Sequence, residues 1–92
     1  MLIDLVEAHP LEDHRVYLRF EDGLEGELDL GKRLSFRGVF APLRDPKCFR
    51  ELHVNPALGA ICWPNGADLA PERLYTWLKE ALASRQTQSA PS

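Results

Sequence analysis

Apolar and polar residues alternate along Arg15–Phe20, with Val16, Leu18 and Phe20 on one face and Arg15, Tyr17 and Arg19 on the other. A period of two belongs to a half-buried strand. Beyond Glu21-Asp22-Gly23 the alternation resumes, Leu24, Gly26, Leu28 and Leu30 interleaving with Glu25, Glu27 and Asp29. The two runs predict a β-hairpin, and the pattern also sets its register. A two-residue Asp22-Gly23 turn would place Phe20 opposite Glu25 and Leu18 opposite Glu27, setting apolar side chains against carboxylates. A three-residue loop with Gly23 left-handed pairs Phe20 with Leu24, Leu18 with Gly26 and Val16 with Leu28. On the outer face it sets Arg19 against Glu25 and Arg15 against Asp29. The acidic run is then one side of a solvated charge ladder, with an acidic docking stripe as the alternative.

Leu2–Ala8 is apolar and β-branched enough for a first strand ending at His9-Pro10, followed by a loop over Leu11–His14. Gly31–Asp45 is broken by Gly31, Gly38 and Pro42. It nevertheless carries Leu34, Phe36, Val39, Phe40 and Leu43, so a short helix or 3₁₀ turn packed across the sheet is expected. Asp45-Pro46 reads as an N-cap and a first-turn proline for a single turn reaching Phe49. Glu51–Val54 and Gly59–Trp63 predict a second hairpin around the Asn55-Pro56 turn. From Pro71, Leu74, Trp77, Leu78, Ala81 and Leu82 recur at spacings of three and four, the signature of one amphipathic helix.

These elements imply an α+β domain: a small, mainly antiparallel sheet of about five strands, packed by one C-terminal amphipathic helix. The expected boundaries are a single domain over 1–83 and a disordered tail over 84–92, where no apolar anchor occurs.

The stretch from Ile61 to Tyr75 joins a strand, a turn and a helix start without a spacer. Pro64 cannot donate to a ladder, so the strand ending in Trp63 stops there or lies at an edge. Asn65-Gly66 tolerates the positive φ of a tight turn. Pro71 suits the first helical position, and Leu69 and Leu74 have the spacing of a hydrophobic staple. Ala70 is a poor cap, so the Asp68 carboxylate is expected to serve the first helical N–H groups.

Composition adds limits. The chain of 92 residues is 45% hydrophobic and 27% charged. Such a length buries about 60–65% of its extended surface, enough for one core but not for a deep enclosed cavity. No run approaches a membrane span and the first residues do not form a signal peptide, so a cytoplasmic location is expected. A net charge of −3 argues against nucleic acid as the main partner. Lys32, Arg33 and Arg37 are the best candidates for a local basic patch. In that compartment Cys48 and Cys62 read as reduced core filler.

His9, His14, His53, Cys48 and Cys62 match no zinc-site spacing, so neither a metal nor another cofactor is expected. No nucleophile motif or glycine-rich phosphate cradle is present, which argues against an enzyme.

Several segments together resemble one small bacterial family. They are Val6-Glu7-Ala8-His9-Pro10-Leu11-Glu12-Asp13, Leu18-Arg19-Phe20-Glu21-Asp22-Gly23, Val39-Phe40-Ala41-Pro42-Leu43-Arg44-Asp45-Pro46, and Trp63 to Pro71 with Leu74-Tyr75. The family is that catalogued as domain of unknown function 2442. The resemblance implies a compact α+β domain with no established activity. It also implies a gene neighbourhood like that of a toxin–antitoxin pair, and in longer members an added helix-turn-helix domain. The residues after Leu82 are expected to be too few for that addition, so the longer members' DNA-binding role is not carried over. Ala70 departs from the family pattern, in which a cysteine tends to stand.

Trp63 reads first as sheet packing and alternatively as a binding anchor, because tryptophan is enriched at interface hot spots. Asn65 and Asp68 read as turn-former and cap, or as a polar rim beside Trp63, with Tyr75 of the following helix joining them as partner-binding residues. The first functional expectation is a non-catalytic protein-interaction module, the antitoxin-like half of a two-protein system with a small protein partner. The alternative is a DNA-associated transcriptional regulator acting as a dimer. Homodimerisation through an open sheet face is a third expectation.

Overall fold

A computed structural model describes residues 3–89, the side chains of residues 85–89 excepted. Strands β1 (Leu5–Pro10), β2 (Arg15–Phe20) and β3 (Glu25–Asp29) form one antiparallel sheet in that order. Strands β4 (His53–Asn55), β5 (Ala60–Cys62) and β6 (Asp68–Leu69) form a second. Between the sheets run a 3₁₀ turn over Leu30–Lys32, a 3₁₀ stretch over Gly38–Arg44 and the single-turn helix α1 (Pro46–Phe49). Helix α2 (Pro71–Ser89) follows β6.

The class is α+β, as the sequence implies, with the strands divided between two three-stranded sheets. The strand that escapes the sequence pattern is β6, whose two residues are too few to show a period. Helix α2 extends past the expected boundary at residue 83, its backbone remaining helical to Ser89. The rest of the tail expected over 84–92, from residue 90 on, lies outside the described residues.

The β2–β3 register is the predicted one: Val16 pairs with Leu28, Leu18 with Gly26 and Arg19 with Glu25. Phe20 N–H donates to Leu24 O, and Gly23 closes the loop with φ +93°. On the inner face Val16, Leu18, Phe20 and Leu28 are buried. The ion pairs of the outer face depart from the simple ladder. Arg15 bonds Glu27 instead of Asp29, and Arg19 reaches across to Glu7 on β1 instead of Glu25. Glu25 accepts from the Tyr17 hydroxyl, and Asp29 caps the following 3₁₀ turn through Gly31 N–H.

Helix α2 lies over β3 with Leu74 and Leu78 buried. Gly26 permits the approach, because a Cβ there would stand 3.2 Å from methyls of both Leu78 and Leu82. The sheets meet where Leu5 N–H donates to Gly59 O. One core spans both, joining Leu5, Phe20, Phe49, Ile61, Trp63 and Leu74 among others.

Candidate functional site

The candidate site begins at the loop between β5 and β6. Trp63 N–H donates to Ala67 O and Gly66 N–H to Trp63 O, with Gly66 at φ +94°. This repeats the loop of the first hairpin, where Gly23 N–H donates to Phe20 O. The side-chain chemistry repeats as well. Asn65 Oδ1 accepts from Ala67 N–H at 3.1 Å, as Asp22 Oδ1 accepts from Leu24 N–H at 3.0 Å. Each is an acceptor from the backbone two residues on, the local bond that makes Asn and Asp good turn residues.

Asn65 also donates, as its carboxylate twin cannot: Nδ2 bonds Val39 O at 2.9 Å. An amide can serve both roles because it carries an acceptor and a donor. The bond ties the β5–β6 loop to the Gly38–Arg44 stretch. Trp63 supports the same stretch from beneath, its ring meeting Phe40 edge-on at 6.4 Å and its Nε1–H donating to Phe49 O at 2.9 Å. His14 supplies a third tie by donating from Nε2 to Leu43 O at 2.8 Å, with its ring 5.0 Å from Phe36 and 4.9 Å from Phe49. Asp45 caps α1 through Lys47 N–H, as the Asp45-Pro46 pair predicts.

The four residues singled out from sequence do not converge. Trp63 is 3% exposed and belongs to the core, so its ring is not the centre of an exposed aromatic patch. Trp63 and Asn65 share a hollow of about 60 Å³ with Pro42, Leu43, Cys48 and Glu51. Tyr75 borders a different hollow, with Ile3, Glu72 and Thr76. Asp68 lies in β6 opposite Cys62, exposed and without a side-chain hydrogen bond among the described residues. It makes no capping bond to α2, its backbone being paired in β6 instead. Ala70 instead supplies the first helical carbonyl, to Leu74 N–H.

Tyr75 packs edge-on against Phe20 at 5.0 Å and donates its hydroxyl to Asp22 Oδ2 at 2.6 Å. That bond holds the Asp22 carboxyl below its usual range and pushes the Tyr75 phenol up. On the outer sheet face His9 and Arg19 both donate to Glu7 and lower its pKa, the His9 bond contributing most. Among the described residues no three His, Cys, Asp or Glu side chains gather as a metal would need, and both cysteines are free thiols. No described helix is long and apolar enough to cross a membrane.

The local basic patch expected at Lys32, Arg33 and Arg37 extends along the whole connection between the sheets. Residues 31–50 carry Lys32, Arg33, Arg37, Arg44, Lys47 and Arg50 against Asp45 alone. This gives the segment a net charge of +5 within a chain of −3, leaving −8 on the remainder. Arg44, Lys47 and Arg50 are the cations beyond the expected patch, and the net charge of the whole chain conceals their sum. Val39 stands in the same stretch with 46% of its surface exposed.

Residues 5–80 match the family described as "Protein of unknown function (DUF2442)". No curated protein matches the chain significantly. The fold is similar to a crystal structure from Nitrosomonas europaea described as a "putative DNA binding protein", with a TM-score of 0.77 and 24% identity. The match covers 90% of this chain and 53% of that one, so this chain spans about half the length of that neighbour.

Proposed function

This chain belongs to the DUF2442 family, and from that premise we propose that it is a non-catalytic protein-interaction module. It holds a small protein partner in the cytoplasm as the antitoxin-like half of a two-protein system. The observation that carries the reading is the Gly38–Arg44 stretch. An irregular segment is tied down by Asn65, His14 and the Phe40–Trp63 contact, yet it presents Val39 to solvent. A surface fixed before binding loses little entropy when a partner arrives, and an apolar centre with a polar surround is how protein interfaces are composed. In this reading Trp63 and Asn65 act by supporting the surface from beneath and beside it.

The test is affinity capture from the native lysate with the tagged chain, beside a Val39→Asn variant that retains the wild-type melting temperature. The reading requires one protein held by wild type and largely lost from the variant. Equal recovery from both, or no protein at all, would refute it.

A second reading, a DNA-associated regulator acting as a dimer, is favoured by the exposure of Lys32 and Arg37 and by the description of the Nitrosomonas neighbour. Arg33, the third residue assigned to it, is already paired with Glu80 at 2.7 Å. This reading requires binding to DNA from the chain's own promoter, with affinity falling steeply as salt rises. Absent or salt-insensitive binding removes it.

A further inference from the structure

The charge of the connection identifies the kind of partner. Five of its six cations have no carboxylate partner among the described residues, Arg33 alone being ion-paired. Arg44 donates to Phe36 O and lies over the Phe36 ring at 5.9 Å, while Arg50 donates to Leu11 O at 3.4 Å. The side chains of Lys32, Arg37 and Lys47 make no hydrogen bond or ion pair among the described residues, and all three are exposed. Elsewhere the fold pairs its arginines where acids are near, as with Arg15–Glu27 and Arg19–Glu7. The segment is also gathered spatially around the β1–β2 loop. Leu30 N–H reaches His14 O, Leu43 O accepts from the His14 ring, and Arg50 reaches Leu11 O.

We infer that the 31–50 connection is the docking surface for an acidic, partly apolar segment of another protein. Its carboxylates meet Lys32, Arg37 and Lys47, and an apolar side chain covers Val39. The inference rests on the protein-interaction reading above and names the partner's chemistry.

Two observations favour a short acidic protein segment over nucleic acid. A phosphate backbone offers nothing apolar to Val39, which sits in the same segment as the cations. The acids that bound the segment also limit what can lie across it. Glu27 and Asp29 line the depression of about 420 Å³ beside Lys32 and Arg33, and Glu12 and Glu27 line that of about 440 Å³ beside Arg50. A duplex carrying one charge per ~1.7 Å would extend over these carboxylates, whereas a few residues of acidic chain fit between them. Opposite charges across an interface chiefly set encounter rate and partner choice, so binding should weaken with salt.

The test uses the full chain bound to its captured partner and a zero-length carbodiimide, which joins an amine only to a carboxylate in direct contact. The expected result is cross-links from Lys32 or Lys47 to Asp or Glu residues of the partner, mapped by mass spectrometry. A Lys32→Glu/Arg37→Glu/Lys47→Glu variant that melts like wild type should recover at least about tenfold less partner. The cross-link map is read on the unaltered chain, so it stands even where the variant does not fold. A partner that is lost from Val39→Asn but never cross-links to either lysine, and is retained by the charge variant, overturns this inference and leaves the interaction reading standing. Capture of no protein overturns both. Cross-links to acids of a second copy, or recovery of nucleic acid alone, also overturns it.

Discussion

Replacing Asn65 by Asp should release the 3₁₀ stretch without undoing the loop. The new side chain keeps an oxygen for Ala67 N–H but puts a carboxylate where Nδ2–H donated to Val39 O. An intramolecular hydrogen bond contributes about 0.5–1.5 kcal/mol net. Because Asn65 is exposed, water screens the repulsion between carboxylate and carbonyl, and the expected cost of Asn65→Asp is about 1 kcal/mol. Asn65→Ala removes both bonds and should cost about 2 kcal/mol. The difference between the two variants isolates the loop bond, and Asp22→Ala should reproduce that difference in the twin loop, with its bond to Tyr75 removed beforehand by Tyr75→Phe. Urea unfolding measures each step. Hydrogen exchange locates the effect, since Phe40 N–H donates to Arg37 O inside the stretch. A loss of about 1 kcal/mol confined to local opening should speed that amide about fivefold. The reasoning fails if Asn65→Asp stays within about 0.3 kcal/mol of wild type and the Phe40 amide exchanges at the wild-type rate.

Gly59→Ala should destabilise the junction of the sheets by about 2–3 kcal/mol, because φ is +62° and the new Cβ would stand 2.6–2.8 Å from three Asp4 side-chain atoms. A loss below about 1 kcal/mol in urea unfolding would show that this junction adapts freely. The Asp22–Tyr75 pair should leave its mark at both ends of the pH range. The depressed Asp22 pKa contributes stability that is present above the unfolded carboxylate pKa and lost as pH falls through the folded value. The raised Tyr75 pKa contributes stability that is full below the unfolded phenol pKa and lost as pH rises through the folded one. Tyr75→Phe should therefore flatten stability against pH at the alkaline end and weaken the acid-side loss. Profiles parallel to wild type at both ends would contradict the pairing.

The features legible in the chain are those whose physics is local. The first hairpin's register follows from a two-residue period and a glycine that must be left-handed, both contained within fifteen residues. The Asp45 cap of α1 and the Pro71 start of α2 are of the same kind, each a bond or a φ value decided by immediate neighbours. The tertiary structure decided what depends on which elements lie side by side. Arg19 pairs with Glu7 because β1 lies on the far side of β2, although Glu25 stands opposite it in the hairpin. Asp68 is paired with Cys62 in β6, a strand too short to have a period, and makes no bond to the helix start. Asn65 is legible as a turn residue, but its grip on Val39 spans 26 positions, and nothing in the loop's own residues announces it. The cations of 31–50 are plain in the chain, whereas their lack of acidic partners appears only once the packing has assigned the carboxylates elsewhere. Side-chain partners are chosen by proximity, and proximity between distant residues is made by the whole core at once, beyond the reach of any local rule.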